Sequence, residues 1–138
     1  MRSAIKLLSM FHVLVYRLTR GRLLGSYSGL DFLLLTTTGS KSGRRRTRPL
    51  SYLKHDEGYV LVASFGGAPR HPAWYLNLRS NPAVTIQVKG RRRSAMAETA
   101  TPEERARLWP RVVAMYAAYD TYQSRTEREI PLVLVKES

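Results

Sequence analysis

Residues 36–48 read Thr36-Thr37-Thr38-Gly39-Ser40-Lys41-Ser42-Gly43-Arg44-Arg45-Arg46-Thr47-Arg48, a β-branched run, then a turn bracketed by glycines, then a run of cations. Glycine enters backbone conformations that other residues avoid, so successive N–H groups in such a turn can converge on one anion, with Lys41 and Arg46 adding full charges. The chemistry is that of a cradle for a small, acidic, phosphorylated partner; the structural alternative is a solvated basic hairpin. Three more segments could carry chemistry. Ser64-Phe65-Gly66-Gly67-Ala68-Pro69 is either a ligand loop or a flexible one. In His71-Pro72-Ala73-Trp74-Tyr75-Leu76-Asn77-Leu78, Trp74 and Leu78 read first as core. Tyr116, Tyr119 and Tyr122, spaced i, i+3 and i+6, fall on one flank of a helix, a pattern that serves boundary packing as readily as hydrogen bonding.

Composition removes several classes of function. The 138 residues make one domain large enough for a core, and 43% hydrophobic content argues against disorder. There is no cysteine, which excludes disulfides and thiolate chemistry, and His12, His55 and His71 lack the spacing of a zinc site, so no metal is expected. The net charge of +13 is concentrated: residues 1–54 hold eleven Lys or Arg and one acid, Asp31. Such a field attracts nucleic acid, anionic lipid or a polyanionic cofactor, and charge alone does not separate the three.

The elements that must position these residues follow from pattern. Residues 32–38 read as a buried strand and residues 45–54 as an extended segment that Pro49 places at an edge or bulge. Residues 59–64 complete a hairpin about Glu57-Gly58, and residues 83–88 and 92–98 form a second about Lys89-Gly90. Pro72 suits the first position of a short helix through Leu78, and Thr101-Pro102-Glu103-Glu104 is a capping box opening a helix to about Tyr119. A last strand spans residues 130–135, and residues 21–29 read as loop. Six antiparallel strands with helices at the start, middle and end describe an α+β fold, a small barrel with peripheral helices.

Taken in order, the segments resemble the deazaflavin-dependent nitroreductase family, split β-barrel proteins related to the FMN-binding split barrels that use coenzyme F-420. The resemblance rests on the turn from Thr37 to Arg46, Pro49-Leu50, Val62-Ala63-Ser64 with Gly66-Gly67, residues 71–78 with Asn81-Pro82, Glu103-Glu104-Arg105, and Tyr122-Gln123 leading to Ile130-Pro131. It covers nearly the whole chain from about Leu34. It implies an oxidoreductase that transfers hydride from the reduced deazaflavin to an electron-poor acceptor, a quinone or a nitroaromatic. Lys41 and Arg46, with Ser40, Ser42 and the turn amides, match positions that hold the phosphate and acidic tail. Thr47, Arg48, Pro49, Leu50 and Ser51, then Val62, Ala63, Ser64 and Phe65, then Ala73, Trp74, Tyr75, Leu76 and Asn77, match the stretches lining the ribityl chain and ring. Tyr116, Tyr119 and Tyr122 would wall the acceptor pocket, with Ser64 near the reacting oxygen. A phenol with a reference pKa of about 10 is neutral at pH 7 and can donate a hydrogen bond as charge develops there. Ser40 stands where many relatives carry a cation, Phe65 where a polar residue is common and Arg125 where an aromatic is common.

Ahead of this domain, residues 1–25 read as an amphipathic segment. On a helix Ala4, Leu7, Leu8, Phe11, Leu14, Val15 and Leu18 share an arc of roughly 120°, opposite Arg2, Lys6, Arg17 and Arg20. The apolar stretch is too short for a cleaved leader or a span, so the expected location is the cytoplasm, with residues 1–20 packing on the barrel or lying on the inner face of the membrane. Three other functions fit parts of the chain: a nucleic-acid module on Arg44–Arg48 and Arg91–Arg93, which lack the interleaved aromatics of common RNA-binding folds; a barrel holding flavin mononucleotide; and a lipid carrier without redox chemistry. Oligomeric state does not follow from the sequence.

Overall fold

The computed structural model describes residues 10–17, 26–27, 30–56 and 58–138. Residues 10–17 are helical (α1); the rest of the expected N-terminal segment lies outside the described residues. Eight strands follow among the described residues: β1 (Ser26–Tyr27), β2 (Leu30–Thr38), β3 (Arg45–Ser51), β4 (Leu53–His55), β5 (Gly58–Val62), β6 (Ala83–Val88), β7 (Arg91–Thr99) and β8 (Leu132–Glu137). The helices are α2 (Ala73–Ser80), α3 (Pro102–Met115) and α4 (Ala118–Ser124), with a 3-10 turn at Phe65–Gly67.

The sheet is wholly antiparallel and runs β1-β2-β6-β7-β8-β5-β4, with β3 on the other edge of β2. The extended segment expected at 45–54 divides at Tyr52: its first part pairs with β2 from Arg45 to Ser51, its second with β5 from Leu53 to His55. That bend carries one strand from β2 to β5 and brings the sheet round into a barrel. Beyond the bend β3 leaves β5, and Pro49, which has no N–H for a second partner, sits on the open side. The result is a split barrel with a groove between β3 and β5. The small β1–β2 pairing, Tyr27 opposite Leu30, replaces part of the expected loop.

Alternation along the strands separates two cores. Leu33, Leu35, Leu61, Val84, Ile86, Ala95, Val133 and Val135 point into the barrel, where Trp74, Tyr75 and Leu78 of α2 plug one end. Val60, Val62, Leu132 and Leu134, the opposite faces of β5 and β8, pack against Leu108, Val112 and Tyr119. Each face is therefore apolar, which is why these strands read as continuous hydrophobic runs.

Three local expectations change. Pro72 (ψ 152°) precedes α2 as its cap instead of starting it, and the helix continues to Ser80. The capping box forms as expected, with Thr101 Oγ1 accepting from Glu104 N at 3.2 Å and Glu104 Oε1 accepting from Thr101 N at 2.9 Å. But α3 stops at Met115, because Tyr116 takes extended backbone (φ −150°, ψ 100°), and α4 begins two residues later. The three tyrosines therefore do not share one helix flank.

Candidate active site

The basic turn closes as a tight loop at the end of β2. Gly39 N donates to Arg44 O at 2.7 Å and Gly43 N to Gly39 O at 2.9 Å, with Gly43 in the left-handed region (φ 71°). Ser42 Oγ accepts from Arg44 N at 3.1 Å, and Ser40 N donates to Asn77 Oδ1 at 3.1 Å. Among the described residues this leaves the amides of Lys41 and Ser42 without internal acceptors. The side chains of Lys41, Arg44 and Arg46 are exposed beside them, and none makes an ion pair with a described carboxylate. Two free amides beside three free cations suit an anionic group such as a phosphate.

Asn77 is buried on α2, and its amide also donates to Thr37 Oγ1 at 3.2 Å. Its polar atoms are thus engaged in holding the turn to the barrel and do not line the groove. Thr47 is similarly occupied, its hydroxyl 2.8 Å from that of Thr36, and Tyr75 turns into the core to meet Thr99 at 2.8 Å. Ala63 is wholly buried.

The groove has a volume of about 870 Å³. Arg48, Pro49, Leu50 and Ser51 make one wall; Val62, Ser64 and Phe65 make the other; Ala73, Trp74 and Leu76 of α2 form the end nearest the turn. Tyr119 alone of the three tyrosines reaches it, its hydroxyl 2.5 Å from that of Ser51. Tyr116 and Tyr122 stand behind, with rings 5.0 and 6.1 Å from that of Tyr119 and hydroxyls 3.4 Å from each other. The helix break keeps the cluster together while sending one phenol forward. Burial raises the Tyr119 pKa, and the Tyr116 hydroxyl raises that of Tyr122, so both remain protonated donors at neutral pH.

Arg128, which no motif in the sequence singles out, completes the groove. Arg128 donates to the carbonyl oxygens of Ser64 (2.7 Å), Ala68 (2.9 Å) and Ala63 (3.1 Å), clamping both ends of the 3-10 turn. Within that turn Phe65 is left-handed (φ 47°), an unfavourable state for a residue with a side chain. Gly67 (φ 80°) lies so near Tyr122 that a Cβ would sit 2.6 Å from its carbonyl oxygen. Arg128 Nη1 also reaches His71 Nδ1 at 3.1 Å, and both side chains line the groove with Pro69, Arg70 and Pro72. The signal for Arg128 is weak in sequence, because it is one of many arginines and its side-chain partners, three carbonyls and the His71 ring, lie 57 to 65 residues away.

Among the described residues no group of His, Asp and Glu could hold a metal ion. An F420H2-dependent quinone reductase of Mycobacterium tuberculosis is 43% identical over 128 residues, which span 90% of this chain and 86% of that protein. A solved F420-H2 dependent reductase is 40% identical, covers 76% of this chain and 93% of its own, and superposes with a TM-score of 0.70. A structure described as a domain-swapped dimer is 34% identical over 92% of this chain and 96% of its own, with a TM-score of 0.72. The family model for F420H2-dependent quinone reductases matches residues 9–137, a span that takes in the basic turn, the groove, the tyrosine cluster and the Arg128 clamp, and the chain belongs to that family.

Proposed function

We propose that this protein catalyses hydride transfer from reduced coenzyme F-420 to a quinone, with nitroaromatics as a second class of electron-poor acceptor. The observation that carries the reading is the meeting of two features at α2: the groove, with apolar walls and the neutral phenol of Tyr119, and the basic turn, whose Ser40 N is bonded to Asn77 next in sequence to the groove residue Leu76. The residues present fit the coenzyme. Lys41, Arg46 and the amides of Lys41 and Ser42 would hold its phosphate and acidic tail, while Pro49, Leu50, Val62 and Trp74 offer flat apolar walls for its chain and ring. When bound, the coenzyme supplies a two-electron hydride donor.

The chain's own work is orientation and proton supply. The clamp of Arg128 fixes the carbonyls of Ala63, Ser64 and Ala68, so the wall carrying Ser64 is set before a ligand arrives. Tyr119, held by Ser51, donates a hydrogen bond toward an acceptor oxygen as it gains charge, and Ser64 lines the opposite wall. Tyr116 and Tyr122 hold Tyr119 by edge-to-face contacts.

The N-terminal segment has a role in delivering lipid-soluble quinones. In α1 the side chain of Tyr16 is buried, whereas Met10, Phe11 and Leu14 are 63%, 62% and 55% exposed, an apolar surface directed away from the barrel. That surface suits peripheral contact with a membrane. No helix among the described residues is long and apolar enough to cross one.

The deciding experiment follows coenzyme fluorescence during titration with the oxidised and reduced forms, then adds menadione to the reduced complex. Saturable binding with reoxidation is expected. Binding without reoxidation would leave a coenzyme-binding protein, and absence of binding would remove the assignment.

A further inference from the structure

The inward-facing rows of the barrel do not stay apolar to both ends. On β6 the inward residues are Val84, Ile86 and Val88; their partners on β7, sharing the same face, are Ala95, Arg93 and Arg91. The β2 row runs Leu35, Leu33, Asp31, and the β8 row runs Val133, Val135, Glu137. At the mouth opposite the basic turn, interior positions thus become ionic. These side chains, with Lys54, Lys89 and the Tyr52–Tyr59 pair, surround a cup of about 450 Å³ floored by Ile86 and Val88.

The cup shares no lining residue with the groove. Asp31 and Thr38, at the two ends of β2, are separated by about 23 Å of strand. Four cations face two carboxylates, and none of the four makes an ion pair with a described acid. Lys54 Nζ instead lies 4.5 Å from the centre of the Tyr59 ring, whose edge-to-face partner Tyr52 is 5.0 Å away. Burial and the nearby Asp31 push the Tyr52 phenol up to about 12, so it is a donor at neutral pH. We propose that this cup is a second binding site, for a phosphate group carried on an apolar or aromatic body. Arg91 and Arg93 take the phosphate, and the aliphatic floor with Tyr52 and Tyr59 takes the body. Two sources share this chemistry, a soluble phosphate ester and a phospholipid headgroup. The second has a geometric basis, since the Tyr16 hydroxyl of α1 accepts from Lys89 N on the rim.

The test uses the full chain, with phenyl phosphate followed by calorimetry and phosphatidylglycerol vesicles followed by flotation. The variants are Arg91→Ala with Arg93→Ala, and, as a control removing equal charge outside the cup, Arg92→Ala with Arg107→Ala; Arg93→Gln alone serves if the first pair lowers the melting temperature. Phenyl phosphate binding at one site, weakened about tenfold by the cup pair and less than about twofold by the control, supports a soluble ligand. Vesicle flotation with the same dependence, and no phenyl phosphate binding, supports a lipid headgroup. No binding of either probe, or equal loss in both pairs, overturns the proposal. Phenyl phosphate held at the basic turn instead would be weakened by Lys41→Ala and by neither arginine pair, an outcome that overturns the cup and leaves the groove's assignment untouched.

Discussion

Arg128 donates to His71 Nδ1 across 3.1 Å, and this one contact fixes the protonation state of the imidazole. A guanidinium has only donors, so Nδ1 must accept and the ring carries its proton on Nε2. Burial, then the charges of Arg128 and Arg79, lower the His71 pKa from its ordinary value. The unfolded chain therefore binds more protons than the folded one as pH falls through the region below 6.5, and stability must fall with it. The melting temperature is expected to decline from pH 7.5 toward pH 5, and His71→Gln, which keeps an acceptor but does not titrate, should flatten that decline. An unchanged slope in His71→Gln would assign the loss to other groups.

Removing the clamp itself has a larger cost. In Arg128→Ala the carbonyls of Ala63, Ser64 and Ala68 lose a charged donor at once, while Phe65 is left in its left-handed conformation. A loss of about 3 kcal/mol is expected from denaturant unfolding, together with weaker coenzyme binding, because the groove wall is no longer set in advance. Arg128→Lys, which cannot reach several carbonyls from one plane, should recover less than half of it.

The tyrosines divide by position. Tyr119→Phe removes the only phenol of the three that lines the groove and should lower quinone turnover about tenfold. Tyr116→Phe and Tyr122→Phe should change it less than about twofold, since their hydroxyls face each other behind Tyr119. Single-turnover reoxidation of the reduced coenzyme measures this directly. Equal effects at all three positions would show that the cluster acts only by packing.

Much of this arrangement was legible in the sequence, and the failures have specific physical causes. The second hairpin, the capping box and the glycine turn are local, so their residue types identify them; Gly43 does take the positive φ that its place in the turn suggested. The split at Tyr52 is not local, because β3 and β4 pair with β2 and β5, the two ends of the run β2-β6-β7-β8-β5, and no residue at the bend announces it. The break at Tyr116 was hidden for a related reason: Tyr116, Tyr119 and Tyr122 keep a helical spacing in sequence although the backbone between them leaves the helix. Gln123 shows how a motif residue can be structural. Its amide oxygen accepts from Arg105 Nη2 at 3.0 Å and Ile130 N at 2.8 Å, and its nitrogen donates to Arg128 O at 2.8 Å, so it positions the loop that carries the clamp.

Asn77 makes the distinction between holding the ligand and holding the turn measurable. Asn77→Ala removes the acceptor of Ser40 N and the donor to Thr37, which should cost about 1–2 kcal/mol of stability and weaken coenzyme binding through the displaced turn. Lys41→Ala should weaken binding about tenfold with no loss of stability, because its side chain is exposed and makes no ion pair with a described acid. A steep salt dependence in the native protein, reduced in Lys41→Ala, would mark the charge contribution.

The described part of α1 changes how a membrane role must be tested. Tyr16 is buried, accepts from Lys89 N and donates to the carbonyl oxygen of Phe32 at 3.2 Å, and His12 packs edge-on against the Phe32 ring at 5.2 Å. One face of the helix thus belongs to the fold, and deleting residues 1–20 would unfold that contact along with any membrane surface. The informative change is Phe11→Ser with Leu14→Ser, at positions more than half exposed. It should leave the melting temperature within about 2 °C, since exposed side chains away from packing contribute little. It should nonetheless reduce flotation with anionic vesicles and slow reduction of a long-chain quinone held in them, while menadione in solution is reduced at the native rate. Tyr16→Phe is the complementary variant, expected to lose about 1–2 kcal/mol of stability while vesicle binding is retained. Equal loss of soluble and vesicle-bound quinone reduction in the double serine variant would assign the exposed face to the barrel's integrity and remove the membrane from the account.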